Sequence, residues 1–176
     1  AALDRSSTRP AESADLDDWT RVGQPPLFED ICEARDPMLV RKDGVWAMYY
    51  TRCDSPLTRA SGVAYRLSKN LVQWSEPHMV LSLDDAPHIS NSGYSESPFV
   101  FERNGFHYLS VTSYPVEWYA TMLFRSPAPY AFPSEPFTRL RGHAGEWLTS
   151  ANGKKVFFTH AGPGQRGVLM SEIRGL

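Results

Sequence analysis

The sequence predicts an all-β fold assembled from repeated antiparallel units. Three observations lead there. Aromatic residues make up 12% of the chain, with five Trp, eight Tyr and nine Phe, and such residues favour strands. Twelve glycines and fourteen prolines cut the chain into short segments. A hairpin phrase recurs three times, and no segment of about ten residues has the spacing of an amphipathic helix. The 176 residues, 41% of them hydrophobic, suffice for one domain with a sizeable core.

Taken in order, residues 1–12 (AALDRSSTRPAE) are polar and carry Pro10. They read as poorly ordered or as a lead-in to a strand. The chain opens without Met, which suggests a processed chain or a fragment. A first repeat follows. Ser13, Leu16 and Trp19 return as Ser68, Leu71 and Trp74, 55 residues later at all three positions. A degenerate third copy starts at Ser126 and runs through Tyr130 and Phe132. Its aromatic residue is expected to pack where one unit meets the next. Residues 13–28 read as the tail of a preceding unit.

The second repeat is an acid, a strand, a two-residue turn and an aromatic strand. Asp36-Pro37 precedes MLVRKDGVWAMYYT, Glu96-Ser97-Pro98 precedes FVFERNGFHYLSVTS, and Glu146 precedes WLTSANGKKVFFTHA. The turns are Asp43-Gly44, Asn104-Gly105 and Asn152-Gly153. These pairs favour type I′ turns, in which both central residues need φ > 0. A further strand follows each hairpin, at residues 62–68, 120–126 and 167–173. The units then span 31–85, 90–140 and 141–176. Antiparallel units of up to four strands at this period are the blades of a β-propeller. About three to four blades are present, so the propeller is incomplete. The remaining blades would come from missing sequence or from self-assembly.

Eighteen basic residues oppose twenty acidic ones, for a formal net charge of −2. That balance argues against a nucleic-acid partner bound through a basic face. No apolar run reaches the roughly 18–20 residues that span a bilayer, so no membrane partner is expected. No signal-peptide pattern opens the chain, and secretion and a cytoplasmic location both stay open. The two cysteines, Cys32 and Cys53, are expected to be half-buried free thiols rather than a disulfide. The five histidines (His78, His88, His107, His143 and His160) are scattered, without metal-ligand spacing on one element. No cofactor is called for, although a hard cation could sit in a central channel through water. Gly162-Pro163-Gly164-Gln165-Arg166-Gly167 lacks the helix and Lys-Ser/Thr ending of a phosphate loop.

In a propeller the first strand of each blade lines the central channel. Asp36, Glu96 and Glu146 are therefore expected to converge at one mouth. Carboxylates gathered there can divide the roles of acid and base, which glycoside cleavage requires. Arg35, beside Asp36, and Tyr94, near Glu96, would bind a hydroxylated ligand. The plainer alternative is acids that only accept backbone N–H groups. Trp118 and Tyr119 would either stack on a sugar ring or pack.

These residues resemble a family. Glu33-Ala34-Arg35-Asp36-Pro37, followed by a Gly turn and Trp46-Ala47-Met48-Tyr49-Tyr50, resembles the Arg-Asp-Pro blade of five-bladed furanosidase propellers. These are the glycoside hydrolases of families 32, 43 and their relatives. Tyr94-Ser95-Glu96-Ser97-Pro98-Phe99-Val100 is similar to the general-acid motif of their next blade. Ser68-Lys69-Asn70-Leu71-Val72-Gln73-Trp74 is similar to their Ser-x-Asp-Leu-x-x-Trp segment. His143-Ala144-Gly145-Glu146 with Thr159-His160-Ala161-Gly162 resembles the blade after that. The resemblance implies that Glu96 protonates the leaving oxygen and that Asp36 stabilises the transition state. It places Arg35 on substrate hydroxyls or on Asp36, and His143 near the substrate. The implied activity is hydrolysis of fructosides, arabinosides or xylosides. Two departures stand out. The family's nucleophile or base is an Asp in the blade before Arg-Asp-Pro, and neither Asp4 nor Asp15 has its Pro and Gly-turn context. Ser97 also replaces the Cys usual in fructan-cleaving relatives. The alternative reading is a non-catalytic propeller, glycan-binding or structural.

Overall fold

The computed structural model describes residues 5–23, 26–31, 33–53, 61–81, 94–114, 120–162 and 167–176. It is all-β, and no helix occurs among the described residues. The strands are β1 (Arg5–Thr8), β2 (Ala11–Glu12), β3 (Thr20–Arg21), β4 (Phe28–Ile31), β5 (Ala34–Lys42), β6 (Val45–Cys53), β7 (Ser61–Ser68) and β8 (His78–Leu81). They continue as β9 (Tyr94–Arg103), β10 (Phe106–Tyr114), β11 (Ala120–Ser126), β12 (Thr138–Arg141), β13 (His143–Thr149), β14 (Val156–Ala161) and β15 (Leu169–Ile173). β5 to β8 form one four-stranded sheet in chain order, and β9 to β12 form a second. β13 to β15 form a three-stranded third sheet. β1 pairs with β4 and β2 with β3, so the strands between Arg5 and Ile31 nest as a long hairpin.

The turns explain the meander. Asp43 and Gly44 have φ of 51° and 79°, and Asn104 and Gly105 have 51° and 78°. Both hairpins therefore close with two residues, Lys42 opposite Val45 and Arg103 opposite Phe106. The third differs. Between Thr149 and Val156 only Gly153 has positive φ. Its longer loop is closed by the Ser150 N–H on the Lys155 carbonyl (2.9 Å) and the Lys155 N–H on Ser150 Oγ (2.9 Å). Asn152 uses its side chain instead, accepting the Lys154 N–H at 3.1 Å.

The Ser-x-x-Leu-x-x-Trp phrase is a turn. Ser13 Oγ accepts the Leu16 N–H (2.8 Å) and Ser68 Oγ the Leu71 N–H (2.9 Å). Asp15 and Asn70 each accept two further N–H groups. Leu16 and Leu71 are both left-handed, with φ of 70° and 62°. Asp15 is thus held by its turn, and those N–H groups keep its carboxyl below the ordinary range. Trp74 packs edge-on against Phe28 of the hairpin, as expected of a junction residue. Trp19, its counterpart, is 60% exposed.

The sheets pack face to face in chain order, and period-two alternation sends neighbouring residues to opposite interfaces. Tyr49 faces the second sheet, among Val100, Leu109 and Met122. Tyr50 faces the hairpin, with Ala34, Ala64 and Phe28. On β11, Met122 and Phe124 join the first interface, while Leu123 joins Tyr108, Trp147 and Phe158 between the second and third sheets. A strand buried on both faces reads as a continuous apolar run, which is why Ala120–Phe124 shows no alternation in sequence. Cys53, 1% exposed at the end of β6, is disulfide-bonded. That corrects the expectation of free thiols. Cys32 lies outside the described residues.

Candidate active site

The first strand of each sheet is interrupted at one point. Arg35 pairs with Thr51 and Met38 with Tyr49, so Asp36 and Pro37 share one partner position. Glu96 pairs with Thr112 and Phe99 with Ser110, so Ser97 and Pro98 do the same. His143 pairs with Ala161 and Glu146 with Thr159, leaving Ala144 and Gly145. Each is a β-bulge, which adds a residue and re-aims the side chains around it. The leading bulge residues Asp36, Ser97 and Ala144 have φ of 55°, 50° and 52°. A left-handed non-glycine residue costs about 1–3 kcal/mol, and such strain gathers at functional sites.

The bulges fix an equivalence that differs from the sequence-based one. Arg35, Glu96 and His143 hold one position; Asp36, Ser97 and Ala144 the next; Met38, Phe99 and Glu146 a third. Asp36, Glu96 and Glu146 therefore come from three different positions. Pro37, Pro98 and Gly145 are the residues that align, and matching on them gives the correct register. Gly145 is required there, because a Cβ would lie 1.9 Å from Phe158 Cε2.

The three bulges surround one cavity of about 340 Å³, lined by residues 36–38, 97–99 and 144–146. Asp36 and Glu146 lie on its wall. Glu96, the residue before Ser97, is not part of the wall and is tied to Asp36 by charge. Arg35 Nη1 is 2.8 Å from Asp36 Oδ2 and 3.5 Å from Glu96 Oε1. Arg35 Nη2 donates to the Ser95 carbonyl at 3.0 Å. His143 Nε2 is 3.5 Å from Glu96 Oε2. One chain of contacts thus crosses all three sheets. Asp36 Oδ2 also accepts the Ser97 N–H (3.0 Å) and the Thr51 hydroxyl (3.5 Å), which leaves Oδ1 as the oxygen without a described donor. Behind the wall, Thr112 Oγ1 accepts the Ala144 N–H at 3.0 Å, and the Thr121 hydroxyl donates to the Gly142 carbonyl at 2.9 Å. Arg35 (31%), Asp36 (32%) and Glu96 (26%) are each roughly one-quarter to one-third exposed in their side chains, so a solute can reach them.

Arg35, Asp36, Glu96 and His143 are brought into one cluster, and Glu146 shares its cavity. The Tyr94 side chain, Trp118, Tyr119, His88 and residues 163–166 lie outside what is described. Among the described residues no three His, Cys, Asp or Glu side chains are arranged to hold a metal ion. The bonds of Ser97 and Ser95 to this cluster were not legible in sequence, because each joins strands far apart in the chain. A second cavity, about 220 Å³, lies between the first two sheets near Lys42, Glu102 and His107. There burial, with Lys42 nearby, holds the His107 imidazole below its usual range.

No protein-family model and no curated protein matches the chain. Solved structures do. The exo-β-1,3-galactanase from Clostridium thermocellum aligns over 82% of this chain and 35% of its own, with a TM-score of 0.67 and 17% identity. A thermostable family-43 glycoside hydrolase aligns over 92% and 61%, with a TM-score of 0.69 and 18% identity. An α-L-arabinofuranosidase from Lactobacillus brevis aligns over 88% and 56%, with a TM-score of 0.63 and 15% identity. The chain spans less than two thirds of the length of each. At these identities the likeness concerns the fold: the chain carries part of the all-β propeller found in family-43 glycoside hydrolases.

Proposed function

We propose that the chain contributes the active centre of a glycoside hydrolase acting on arabinosides, xylosides or fructosides in oligo- or polysaccharides. The observation that supports this reading is the joining of Arg35, Glu96 and His143 to Asp36, which lines the cavity between the three bulges. Glu96 serves as the proton donor. Its Oε2 lies 3.5 Å from His143 Nε2, a contact that orients the carboxyl for proton transfer to the leaving oxygen. Asp36, fixed by three donors on one oxygen, presents the other to the developing positive charge of the sugar ring. Arg35 holds both carboxylates in register. Glu146 and Tyr94 are assigned to substrate hydroxyls. The α-L-arabinofuranosidase and the endo-arabinase that share the fold support the arabinoside part of this class.

The test is hydrolysis of 4-nitrophenyl α-L-arabinofuranoside, 4-nitrophenyl β-D-xyloside and a fructan by the wild type and by Glu96→Gln. Loss of general acid catalysis is expected to lower kcat about 10²–10⁴-fold with the melting temperature unchanged. Full turnover by the variant would remove Glu96 from the role. Binding of these sugars without any turnover by the wild type would favour a glycan-binding propeller instead.

A further inference from the structure

The geometry points to a second binding site, apart from the active centre, for one neutral polyhydroxylated ring such as a single sugar unit: the cavity of about 220 Å³ between the first two sheets. It shares no lining residue with the cavity at the bulges. Lys42 ends β5, six residues beyond Asp36, and at about 3.3 Å per strand residue that is roughly 20 Å away. The volume falls below the ~300–1,000 Å³ of sites for drug-sized ligands, which suits one small ring rather than an oligosaccharide. Val40, Ala47 and Val100 supply an apolar wall beside Tyr49 and Tyr130. That wall is built in advance: the Tyr49 hydroxyl donates to the Pro129 carbonyl at 2.7 Å, and the Tyr130 ring stacks on Tyr65 at 4.7 Å. A fixed apolar wall with a few convergent polar groups is the usual form of a small-molecule site.

The polar groups decide the ligand's chemistry. Lys42 reaches from the first sheet to the second, 3.1 Å from Glu102 Oε2 and 3.4 Å from His107 Nε2. An ammonium can only donate, so the imidazole accepts through Nε2 and is neutral. Burial, with the Lys42 charge nearby, favours that form. Two of the three Lys42 N–H groups are then used, and the third has no described acceptor. Glu102 Oε1 likewise has no described donor. The one cation and the one anion cancel. An anionic ligand would meet Glu102 and a cationic one Lys42, and each repulsion offsets the matching attraction. What remains is one donor and one acceptor at the end of an apolar wall. Adjacent hydroxyl groups on a ring satisfy both, one accepting from Lys42 and the other donating to Glu102, while the C–H face of the ring lies on the apolar side.

Amide-resolved NMR of the isotope-labelled protein tests this with L-arabinose, D-xylose and D-fructose, each added alone, and with cyclohexanol as the apolar-ring control. At least one of the sugars should shift the signals of residues 40–47 and 100–107 in a saturable way. Glu102→Ala and Lys42→Met, both at exposed positions, should each weaken that response about tenfold or more, the size of one hydrogen bond to a charged group. Val40→Phe, which fills the cavity, should abolish it, and melting curves check that all three variants fold. The signals of residues 36, 38, 97, 99 and 144–146 report the active centre separately and should behave in the variants as in the wild type. Sugars that move only those signals overturn the inference and leave the active-centre reading standing. Sugars that move only the signals of 40–47 and 100–107 sustain it and count against sugar binding at the bulges. A tighter response to cyclohexanol than to any sugar overturns it, as does an undiminished response in Glu102→Ala and Lys42→Met. No response to any sugar at either set of signals defeats it as well.

Discussion

Asp30 on β4 ties the N-terminal hairpin to the first sheet, and its replacement by Ala should be among the costliest single changes. Its side chain is 5% exposed. It accepts the Tyr50 hydroxyl at 2.5 Å, Arg52 Nε at 3.1 Å and Arg66 Nη2 at 3.3 Å. Arg66 is itself only 9% exposed in its side chain, so Ala at 30 strands a buried cation. Removing one partner of a buried pair costs about 3–5 kcal/mol. The lower half of that range applies. Arg66 keeps the Ser75 carbonyl at 2.7 Å, the Tyr50 oxygen at 3.1 Å and the Phe28 ring at 4.4 Å, and Arg52, 18% exposed, can turn toward water. About 3 kcal/mol lowers the melting temperature by roughly 6–12 °C in a chain of this size. Urea unfolding followed by Trp fluorescence reads it, with Lys155→Ala as the control. Lys155 is 57% exposed and meets Glu172 at 3.0 Å, and such a surface pair contributes under about 1 kcal/mol. A loss below about 1 kcal/mol for Asp30→Ala would refute the view that this network anchors the hairpin.

Two other outcomes follow from packing and burial. Gly145→Ala drives a Cβ into the Phe158 ring and should destabilise by about 1–3 kcal/mol, seen as a lower urea midpoint; an unchanged midpoint would mean that the bulge can move. Burial raises the Tyr49 and Tyr50 phenols above their ordinary value of 10.0, so the folded state keeps them neutral where the unfolded chain ionises. Their contribution is complete below about pH 10 and is lost as pH rises further, at no more than about 1.4 kcal/mol per pH unit for each tyrosine. Tyr49→Phe should therefore flatten the alkaline fall in stability, and an identical slope in that variant would count against the assignment.

Much of the architecture could be read in advance because its signals are local. Asp43-Gly44 and Asn104-Gly105 dictate two-residue turns through the φ values they tolerate, and the flanking strands follow from residue type. The third turn was misjudged for a local reason as well: Ser150 and Asn152 offer side-chain oxygens that compete with the type I′ geometry. For the candidate site, the sequence drew attention to Arg35, Asp36, Glu96, His143 and Glu146 but not to their register. Alternation locates the side of a strand only while the ladder is regular, and an inserted bulge residue shifts everything beyond it by one.

By itself the sequence determined that the chain would be all-β and where its hairpins would turn, since each depends on residues within a few positions of one another. Only the tertiary structure decided that Arg35 would link Asp36 to Glu96 and that Asp30 would hold two arginines. The physical reason is that charge pairing acts through space between strands some tens of residues apart, and no local preference encodes which of many acids a given guanidinium will meet.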